Sequence, residues 1–507
     1  MSTLYQKGSI TIYLCLTLLV ILSVITAAVY SVQSAGARVQ AVHAADQGLY
    51  SLFARYDIPM LEQYHLFFMD GSKGGTAVEK ANEFLQEDVK NAANRYERRT
   101  DGIIDNPVFK SNSITACTLA TDNGGNAIKS QAVSCMKAML GVQGVQSLID
   151  KVQGNKDTIY EIENSENPVD ESEAMQTYED VKNGQIDSGV ESSEAENSEV
   201  MSGDSLVLDE NSEESTVEIP DDFMDPVSLV QEAKSQPILE LVLPDGMQVS
   251  GLRVDSSKLL SERKQQQGFG SPVYDDSCDS LTSKILFNEY VLRHFPSFIS
   301  KDSGEGLQYQ LEYILYGKDS DAENLEAVSL RLLAIREIAN AIYLAENAGK
   351  QTEIKTVSLI LATLLGAPQA AEMLEPALLL VWAFGESVLD LQNLLAGEKT
   401  ALMKSDETWQ LSLLSLPKIF GGISAFRKSS EEGMSYKDYL RVFLLTGNGD
   451  AVLTRSMDMM EIVLRTKENH ESFCLDACVY SIDTEMIFTT KRGSKYVVER
   501  SYGYDMQ

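Results

Sequence analysis

The sequence predicts an α+β protein in which an N-terminal transmembrane helix continues into an extended helix, and an acidic disordered insertion precedes a C-terminal domain of mixed helices and strands. Three observations support this fold class. An uncharged stretch separates Lys7 from Arg38, acidic residues crowd between Glu161 and Asp225, and helical and strand patterns occur in blocks without regular alternation. The predicted segments are a cytoplasmic head (1–9), a transmembrane anchor helix (10–32), a membrane-proximal α+β region (33–154), an acidic linker or insertion (155–226) and a C-terminal α+β domain (227–507).

The N-terminal segment has the length and composition of a membrane-spanning helix. Ile10–Tyr30 is almost wholly apolar, and about twenty such residues cross the hydrocarbon core of a bilayer. The stretch exceeds the apolar region of a cleavable signal peptide, although Ala35-Gly36-Ala37 offers small residues for cleavage. Because Lys7 precedes the span, we expect an uncleaved anchor with a cytoplasmic N-terminus, membrane lipid around the span and everything after Arg38 outside. The anchor residues are Ile10, Leu14, Leu18, Val20, Ile21, Val24, Ile25 and Val29.

The helical pattern continues beyond the span. Val32–Arg55 contains no proline, and apolar residues such as Val39, Val42 and Leu49 recur at helical spacings. We therefore expect a continuous rod that Pro59 ends or bends. The next expected elements are a strand at Tyr64–Met69, a helix at Ala77–Arg99 and a helix near Ala127–Leu140.

The acidic tract from Glu161 to Asp225 contains 22 acidic residues and one basic residue, Lys182. Its only aromatic residues are Tyr178 and Phe223, so little apolar burial is available to offset the entropy lost on ordering. A cation-binding tract is the alternative, but no calcium-binding loop with its glycine and terminal glutamate occurs. The composition therefore favours a disordered linker.

The formal net charge of the chain is −33. A nucleic-acid partner requires a basic face, because affinity for nucleic acid depends on neutralising phosphates. The charge therefore excludes nucleic acid as a partner. Most of the negative excess lies in the acidic tract, so the remainder is only mildly acidic.

The sequence after the acidic tract predicts more strands and helices. Ile238–Leu243 is an apolar run that ends at a proline, and Val249–Val254 is a second strand candidate beside it. A helix is expected at Asp279–His294, and the alternating pattern of Leu307–Tyr316 favours another strand.

The clearest helix begins after Ser320, where Ser320 and Glu323 have the spacing of a capping box. Apolar residues from Leu325 to Ile342 then repeat at intervals of three and four, which requires a buried face. The remaining elements are apolar helices at Val357–Leu365 and Ala377–Leu391, which are too short to span a bilayer, helices at Tyr436–Leu445 and Asp450–Arg465, and strands at Cys474–Thr490 and Lys495–Tyr502 joined by a turn at Arg492-Gly493.

Motifs for catalysis are missing from the sequence, which has no phosphate-binding loop and no nucleophile elbow. Glu386 and Asp390 stand one helical turn apart near Trp382 and could form a paired-carboxylate site. Because two carboxylates without a third group are weak evidence of catalysis, we favour the polar edge of a helix. We expect no enzymatic activity and no cofactor.

The residues that could bind a metal ion are scattered. No two of His43, His65, His294 and His470 have a metal-binding spacing, so we expect no metal site. Asp276–Ser280 resembles the DxSxS metal-binding loop of von Willebrand-type adhesion domains, but Cys278 stands in the place of the first serine, which argues against that loop.

The cysteines could bind a metal ion or form disulfides. Cys474 and Cys478 are expected on one face of a strand, where small buried residues are favoured over metal ligands. The sequence separation of Cys117 and Cys135 does not decide whether they form a disulfide.

Several segments resemble known proteins. Lys7-Gly8-Ser9-Ile10-Thr11, Arg38-Val39-Gln40 and Ala44-Ala45-Asp46 resemble the start of TadE/TadG-like proteins of tight-adherence pilus systems. The segments Leu311–Lys318, Ser320–Val328, Arg336–Leu344, Val381–Asp390 and Tyr439–Leu445 are similar to an uncharacterised family of membrane-anchored Firmicutes proteins, chiefly clostridial, that is associated with Tad-like pilus loci.

The resemblance implies a candidate processing site between Gly8 and Ser9, where a prepilin peptidase would cut. The fifth residue of the resulting chain would be Tyr13, whereas prepilins usually have glutamate there, so a permanent anchor is an equal alternative. The function implied is a non-enzymatic structural or assembly component of a Tad-like pilus or related cell-surface secretion apparatus, with pilus assembly proteins as partners. The alternative is a membrane-anchored extracellular binding protein or adhesin that acts outside a pilus. The sequence does not identify a ligand.

Overall fold

The computed structural model describes residues 4–72, 75–99, 105–185, 223–244, 246–270, 280–300, 306–416 and 433–504. Within these ranges the protein is α+β, as predicted, with a long apolar helix at its N-terminus. One core lies between a sheet and two long helices, and a larger core lies among the helices that follow.

Helix α1 (Leu4–Phe53) is continuous for 50 residues, which confirms the predicted rod. Pro59 does not end it. The chain leaves α1 after Phe53, and Pro59 lies in the first turn of α2 (Ile58–Tyr64), where its missing N–H costs no hydrogen bond. Asp57 caps α2 by accepting a hydrogen bond from the Met60 N–H at 2.8 Å.

The strand predicted at Tyr64–Met69 is mostly wrong. Only β1 (Met69–Asp70) pairs with another strand, and Tyr64 ends α2. Tyr64, Leu66 and Phe68 are nevertheless buried alternately, and this burial produced the strand-like pattern. The next helix, α3 (Ala77–Arg99), has the predicted bounds.

The main sheet is antiparallel and is centred on β5 (Cys478–Thr489). β2 (Val108–Leu119) pairs with one edge of β5, and β6 (Lys495–Gly503) and β1 pair with the other. The two strands at the chain's end are thus confirmed. β2 lies in the predicted region 33–154 and β5 in the predicted domain 227–507, so that boundary does not separate two sheets.

The second core is helical. In chain order its first helices are α4 (Asn126–Asn164, interrupted at Gly141, where φ is 65°), α5 (Glu171–Lys182), α6 (Pro226–Lys234), α7 (Ile238–Val242), α8 (Leu281–His294) and α9 (Gln310–Tyr316). They are followed by α10 (Asp321–Glu346), α11 (Ala348–Leu364), α12 (Ala371–Leu395), α13 (Tyr436–Thr446) and α14 (Gly449–Arg465), with a short ladder between β3 (Lys399–Thr400) and β4 (Met434–Ser435).

The predicted linker at 155–226 is wrong in its first part. Helix α4 continues to Asn164, and α5 follows, capped by Asp170. Tyr178 on α5 is fully buried, so the acidic residues of α5 occupy the solvent side of an amphipathic helix. Residues 186–222 lie outside the described residues.

Two predicted strands are helices. The range Ile238–Leu243 contains α7, and the range Leu307–Tyr316 contains α9, which ends where Gly317 adopts a φ of 65°. Short apolar runs fit both a buried strand and a buried helix, so the alternation carried little information. Val249–Val254 forms only an isolated bridge, between Arg253 and Ser320.

The capping box at the start of α10 is half formed. The Ser320 hydroxyl accepts a hydrogen bond from the Glu323 N–H at 3.2 Å. The Glu323 carboxylate instead accepts one from Arg253 at 3.0 Å. The helices predicted at Val357–Leu365 and Ala377–Leu391 are confirmed within α11 and α12, and both contribute to the helical core.

Candidate membrane anchor and buried charge cluster

The first half of α1 carries a continuous apolar surface that no other element of the described structure covers. All eight predicted anchor residues are exposed, from Val29 at 51% to Leu14 at 64%. The helix is long and apolar enough to cross a membrane, with a mean hydropathy of 2.7 in its most apolar window. The predicted anchor residues therefore form the surface that lipid would contact.

Polar side chains in the span are satisfied by the helix itself. Thr17, Ser23 and Thr26 donate hydrogen bonds to carbonyl oxygens three residues earlier, at 2.8–2.9 Å. Because a bilayer core offers no water for such groups, this arrangement suits a lipid environment.

The second half of α1 is part of the core, and small residues make its packing possible. Ala41, Ala44 and Ala45 are fully buried against α3 and the sheet. A side chain at Gly48 would come within 2.3 Å of the Val89 Cγ2 atom on α3, so only glycine permits this approach of the two helices. The stripe of small residues thus sets the distance between α1 and α3.

Strand β6 and its turn also hold α1. The Ser34 and Tyr496 hydroxyls are 3.0 Å apart, and Arg492 donates a hydrogen bond to Gln33 at 2.6 Å. Further along, Arg500 donates one to Asp46 at 2.7 Å. Helix and strand therefore run side by side from the end of the span into the body.

The candidate processing residues Gly8 and Ser9 lie in the first turns of α1. Their helical backbone does not distinguish a cut chain from an uncut one, so processing stays a prediction.

The sequence predicted that Glu386 and Asp390 form the polar edge of a helix, and this prediction is wrong. Both are fully buried, together with Arg336 of α10 and Lys404 of the segment after β3. The Lys404 Nζ lies 2.6 Å from Glu386 and 2.7 Å from Asp390, and Arg336 donates two hydrogen bonds to Asp390, at 2.7 and 3.0 Å. Two acids and two bases thus form a neutral cluster within the helical core.

The cluster also fixes the chain that follows β3. Glu386 accepts hydrogen bonds from the Gln410 and Leu411 N–H groups, at 3.1 and 3.0 Å. The indole N–H groups of Trp382 and Trp409 both donate to the Leu411 carbonyl. These contacts attach the segment between β3 and Leu416 to α12.

Burial and the neighbouring cations shift the pKa values of the two acids in opposite directions. Burial acts to raise the pKa of Asp390, but Arg336 and Lys404 outweigh it and hold that pKa below its usual range. For Glu386 burial prevails and raises the pKa despite Lys404. Because the groups are enclosed and bonded to each other, the geometry is that of a structural centre rather than of an open site for a substrate.

Neither cation of this cluster, Arg336 or Lys404, was predicted from the sequence. A signal was available, since charges within an apolar helix need partners. Their identity was not readable from spacing, because Lys404 lies 14 residues after Asp390 and Arg336 lies 54 residues before it.

The histidines come together in one pair that the sequence did not predict. The His294 Nε2 and His65 Nδ1 atoms are 3.3 Å apart, and His470 bonds Asp57 at 2.8 Å. Within the described residues, no three histidine, cysteine or acidic side chains are grouped in a way that could hold a metal ion.

The cysteines whose side chains are described, Cys15, Cys117, Cys135, Cys474 and Cys478, are free thiols. Cys117 and Cys135 therefore form no disulfide in this structure. Cys474 precedes a short 3-10 turn and Cys478 begins β5, so the two do not share a strand face as predicted. Of Asp276–Ser280, only Ser280 lies within the described residues, and it caps α8.

Fold and site together define a protein with an N-terminal apolar helix that could cross a membrane and an α+β body built onto the same helix. Residues 216–490, just over half of the chain, match the model of a family of unknown function (DUF5702), and the chain belongs to that family. The match includes the buried charge cluster but not α1. No curated protein matches the chain, and no solved structure does.

Proposed function

We propose that the protein is a membrane-anchored, non-enzymatic structural or assembly component of a Tad-like pilus or a related cell-surface secretion apparatus. The N-terminus lies in the cytoplasm, α1 crosses the membrane once and the body is extracellular. The resemblance of the head at Lys7–Thr11 to TadE/TadG-like proteins supports the type of apparatus.

The observation that carries the proposal is the continuity of α1. One helix of 50 residues supplies the exposed apolar span with its first half and a buried side of the body's core with its second. A body attached in this way keeps a fixed orientation to the membrane, because no loop separates span and core. This rigidity suits a component that must hold partners in register.

The absence of catalysis is part of the proposal. The pair Glu386 and Asp390, the strongest catalytic candidate in the sequence, is engaged by Arg336 and Lys404 in the core. Neither carboxylate is accessible to a substrate, since both are fully buried.

Deletion of the gene in a host that makes such pili tests the proposal. We expect pilus assembly to fail, and the tagged full chain to co-purify with pilus assembly proteins. A chain lacking residues 10–32 is the control, because it retains the body and should not restore assembly. Normal pili after deletion would contradict the proposal and favour a surface binding protein or adhesin.

Sequencing the N-terminus of the mature protein tests how the head is handled. A chain that begins at Ser9 has been processed as a prepilin, whereas one that begins at Met1 or Ser2 is a permanent anchor. A chain that begins near Val39 has been released, and this result would contradict the anchored state.

A further inference from the structure

The turn between β5 and β6 carries three basic residues in five positions, Lys491, Arg492 and Lys495. All three are exposed. These five positions carry a formal charge of +3 in a chain whose net charge is −33. The turn thus differs in charge from most of the protein.

Contacts with α1 fix the position of this turn. The Ser494 hydroxyl lies 3.5 Å from that of Tyr30, and Arg492 donates a hydrogen bond to Gln33. Tyr30 is the last residue of the apolar span. The basic turn therefore lies where the exposed apolar surface of α1 ends.

The rise of an α-helix gives the depth of this turn relative to the hydrocarbon core of a bilayer. The span Ile10–Tyr30 is about 31 Å long at 1.5 Å per residue, which matches the roughly 30 Å hydrocarbon core of a bilayer. With the span in the core, Tyr30 lies at its edge, where tyrosine is enriched in membrane proteins. Gln33 and Ser34 lie about 5–6 Å further out, within the headgroup layer.

The turn has a defined shape. The Gly493 N–H donates a hydrogen bond to the Thr490 carbonyl at 3.0 Å, and Gly493 has a φ of 89°, which favours glycine. The Asp105 carboxylate accepts hydrogen bonds from the Lys491 and Arg492 N–H groups, both at 3.2 Å. Asp105 carries one negative charge, whereas Lys491, Arg492 and Lys495 carry three positive charges.

Apolar side chains accompany the charges. Val497 on β6 is 49% exposed, and Val108 at the start of β2 is 37% exposed. β2 begins opposite Thr489, next to the same turn. Basic and apolar residues together are typical of surfaces that bind the membrane interface.

We propose that the β5–β6 turn binds the headgroups of anionic phospholipids through Lys491, Arg492 and Lys495. The turn forms a second attachment beside the span and fixes the tilt of the body on the membrane. This inference rests on the proposed anchoring by α1, but it holds for either orientation of the chain.

The test uses the full chain in bilayers of phosphatidylcholine with spin-labelled phosphatidylglycerol or spin-labelled phosphatidylcholine as the probe. Electron paramagnetic resonance measures the relative association of each labelled lipid with the protein. We expect a preference for phosphatidylglycerol that decreases at high salt. Each basic residue near the surface contributes about a fivefold change in contact equilibrium, equivalent to about 1 kcal/mol.

The deciding comparison is between two triple variants of equal charge. In K491Q/R492Q/K495Q we expect the preference for phosphatidylglycerol to fall to a small remaining value, which is due to Lys7 and Arg38. In the control K137Q/K318Q/K355Q, which removes three exposed lysines of the helical body, we expect it to be unchanged. Matching thermal unfolding curves would show that both variants are folded.

Two results would overturn the inference: an equal loss in both variants, or a preference that survives loss of the turn's charges. Alkaline extraction of the same samples keeps the two proposals apart. A chain that fails to insert contradicts the anchor itself. A chain that inserts but shows no preference for phosphatidylglycerol contradicts only the lipid contact.

Discussion

The helices α1 and α12 are both long and apolar enough to cross a membrane, yet one is exposed and the other enclosed. The most apolar window of α1 has a mean hydropathy of 2.7 and is uncovered, whereas that of α12 has 1.3 and is wholly buried. The difference lies in the charges. α12 contains Glu386 and Asp390, which require Arg336 and Lys404 around them, while the α1 span contains no charged residue.

The few polar groups of an apolar helix thus determine whether it is suited to lipid or to a protein core. Hydroxyl groups in α1 bond back to their own helix and need no partner elsewhere. Carboxylates in α12 cannot be satisfied in this way, so they bind cations from other elements. Substitutions in each of the two helices test this difference.

The largest effect is expected from Arg336→Met. The change leaves Asp390 with Lys404 as its one remaining cationic partner in the cluster, and breaking a buried ion pair in this way costs about 3–5 kcal/mol of the free energy of unfolding. Urea unfolding of the full chain in detergent measures this loss of unfolding free energy, with tryptophan fluorescence as the signal. Both tryptophans, Trp382 and Trp409, bond Leu411 beside the cluster and report on it directly.

Arg253→Gln is the matched control. The Arg253–Glu323 pair has the same chemistry, but its side chains are 65% and 46% exposed, so its loss should cost under about 1 kcal/mol. Equal effects of the two substitutions would show that the cluster does not stabilise the core more than a surface pair does.

Val20→Arg tests the other helix. Placing arginine at the centre of a span costs about 2.5–3.5 kcal/mol of insertion free energy. We expect more of the protein to be removed from membranes by alkaline extraction, while urea unfolding of the body in detergent is unchanged. Val39→Arg places the same charge on an exposed part of α1 beyond the span and should not affect extraction. If Val20→Arg also destabilised the body, the exposed half of α1 would be part of the core.

The helices and strands that local periodicity determines could be predicted from the sequence. The bounds of α3, the rod of α1 and the strands of the β5–β6 hairpin follow from helical or alternating patterns and nearby turns. The helix that could cross a membrane was predictable for the same reason, since length and hydropathy are properties of one contiguous segment.

What the sequence could not predict depends on distant partners. β2 gave no clear pattern, because the strand that satisfies its backbone groups, β5, lies at the other end of the chain. The short helices α7 and α9 were predicted as strands, because burial on several sides removes the periodicity that distinguishes the two structures. The prediction for the buried cluster was wrong for a similar reason. Its acids lie one turn apart on α12, whereas its cations come from other segments of the chain.

Glu312→Gln tests a buried carboxylate that is hydrogen-bonded to a tyrosine and a backbone N–H instead of to cations. Glu312 on α9 accepts hydrogen bonds from Tyr436 and the Phe298 N–H, at 2.7 and 3.0 Å. Burial raises its pKa from 4.5 to about 7. The raised pKa means that folding favours the protonated acid, so its stability is fully present below pH 4.5 and is lost as the pH rises through about 7.

Thermal unfolding as a function of pH measures this loss. The wild-type protein should lose about 3 kcal/mol of unfolding free energy across that interval, since each pKa unit corresponds to about 1.4 kcal/mol. Glu312→Gln stays neutral and should remove that part of the pH dependence. Glu323→Gln, at an exposed position, is the control and should retain it. An unchanged pH profile in Glu312→Gln would contradict the raised pKa.

The smallest effect is expected from Gly48→Val, which tests how the second half of α1 is attached. The new side chain would overlap Val89 on α3, and overpacking of this kind costs about 1–3 kcal/mol, offset in part by the better helix propensity of valine. Amide hydrogen exchange in α3 should accelerate, because the two helices must separate. Ser51→Val adds the same side chain at an exposed position of α1 and should leave exchange in α3 unchanged. If exchange in α3 were equally slow in both variants, the small residues of α1 would not set its distance from the body, and the span would be less rigidly joined to the core than the shared helix implies.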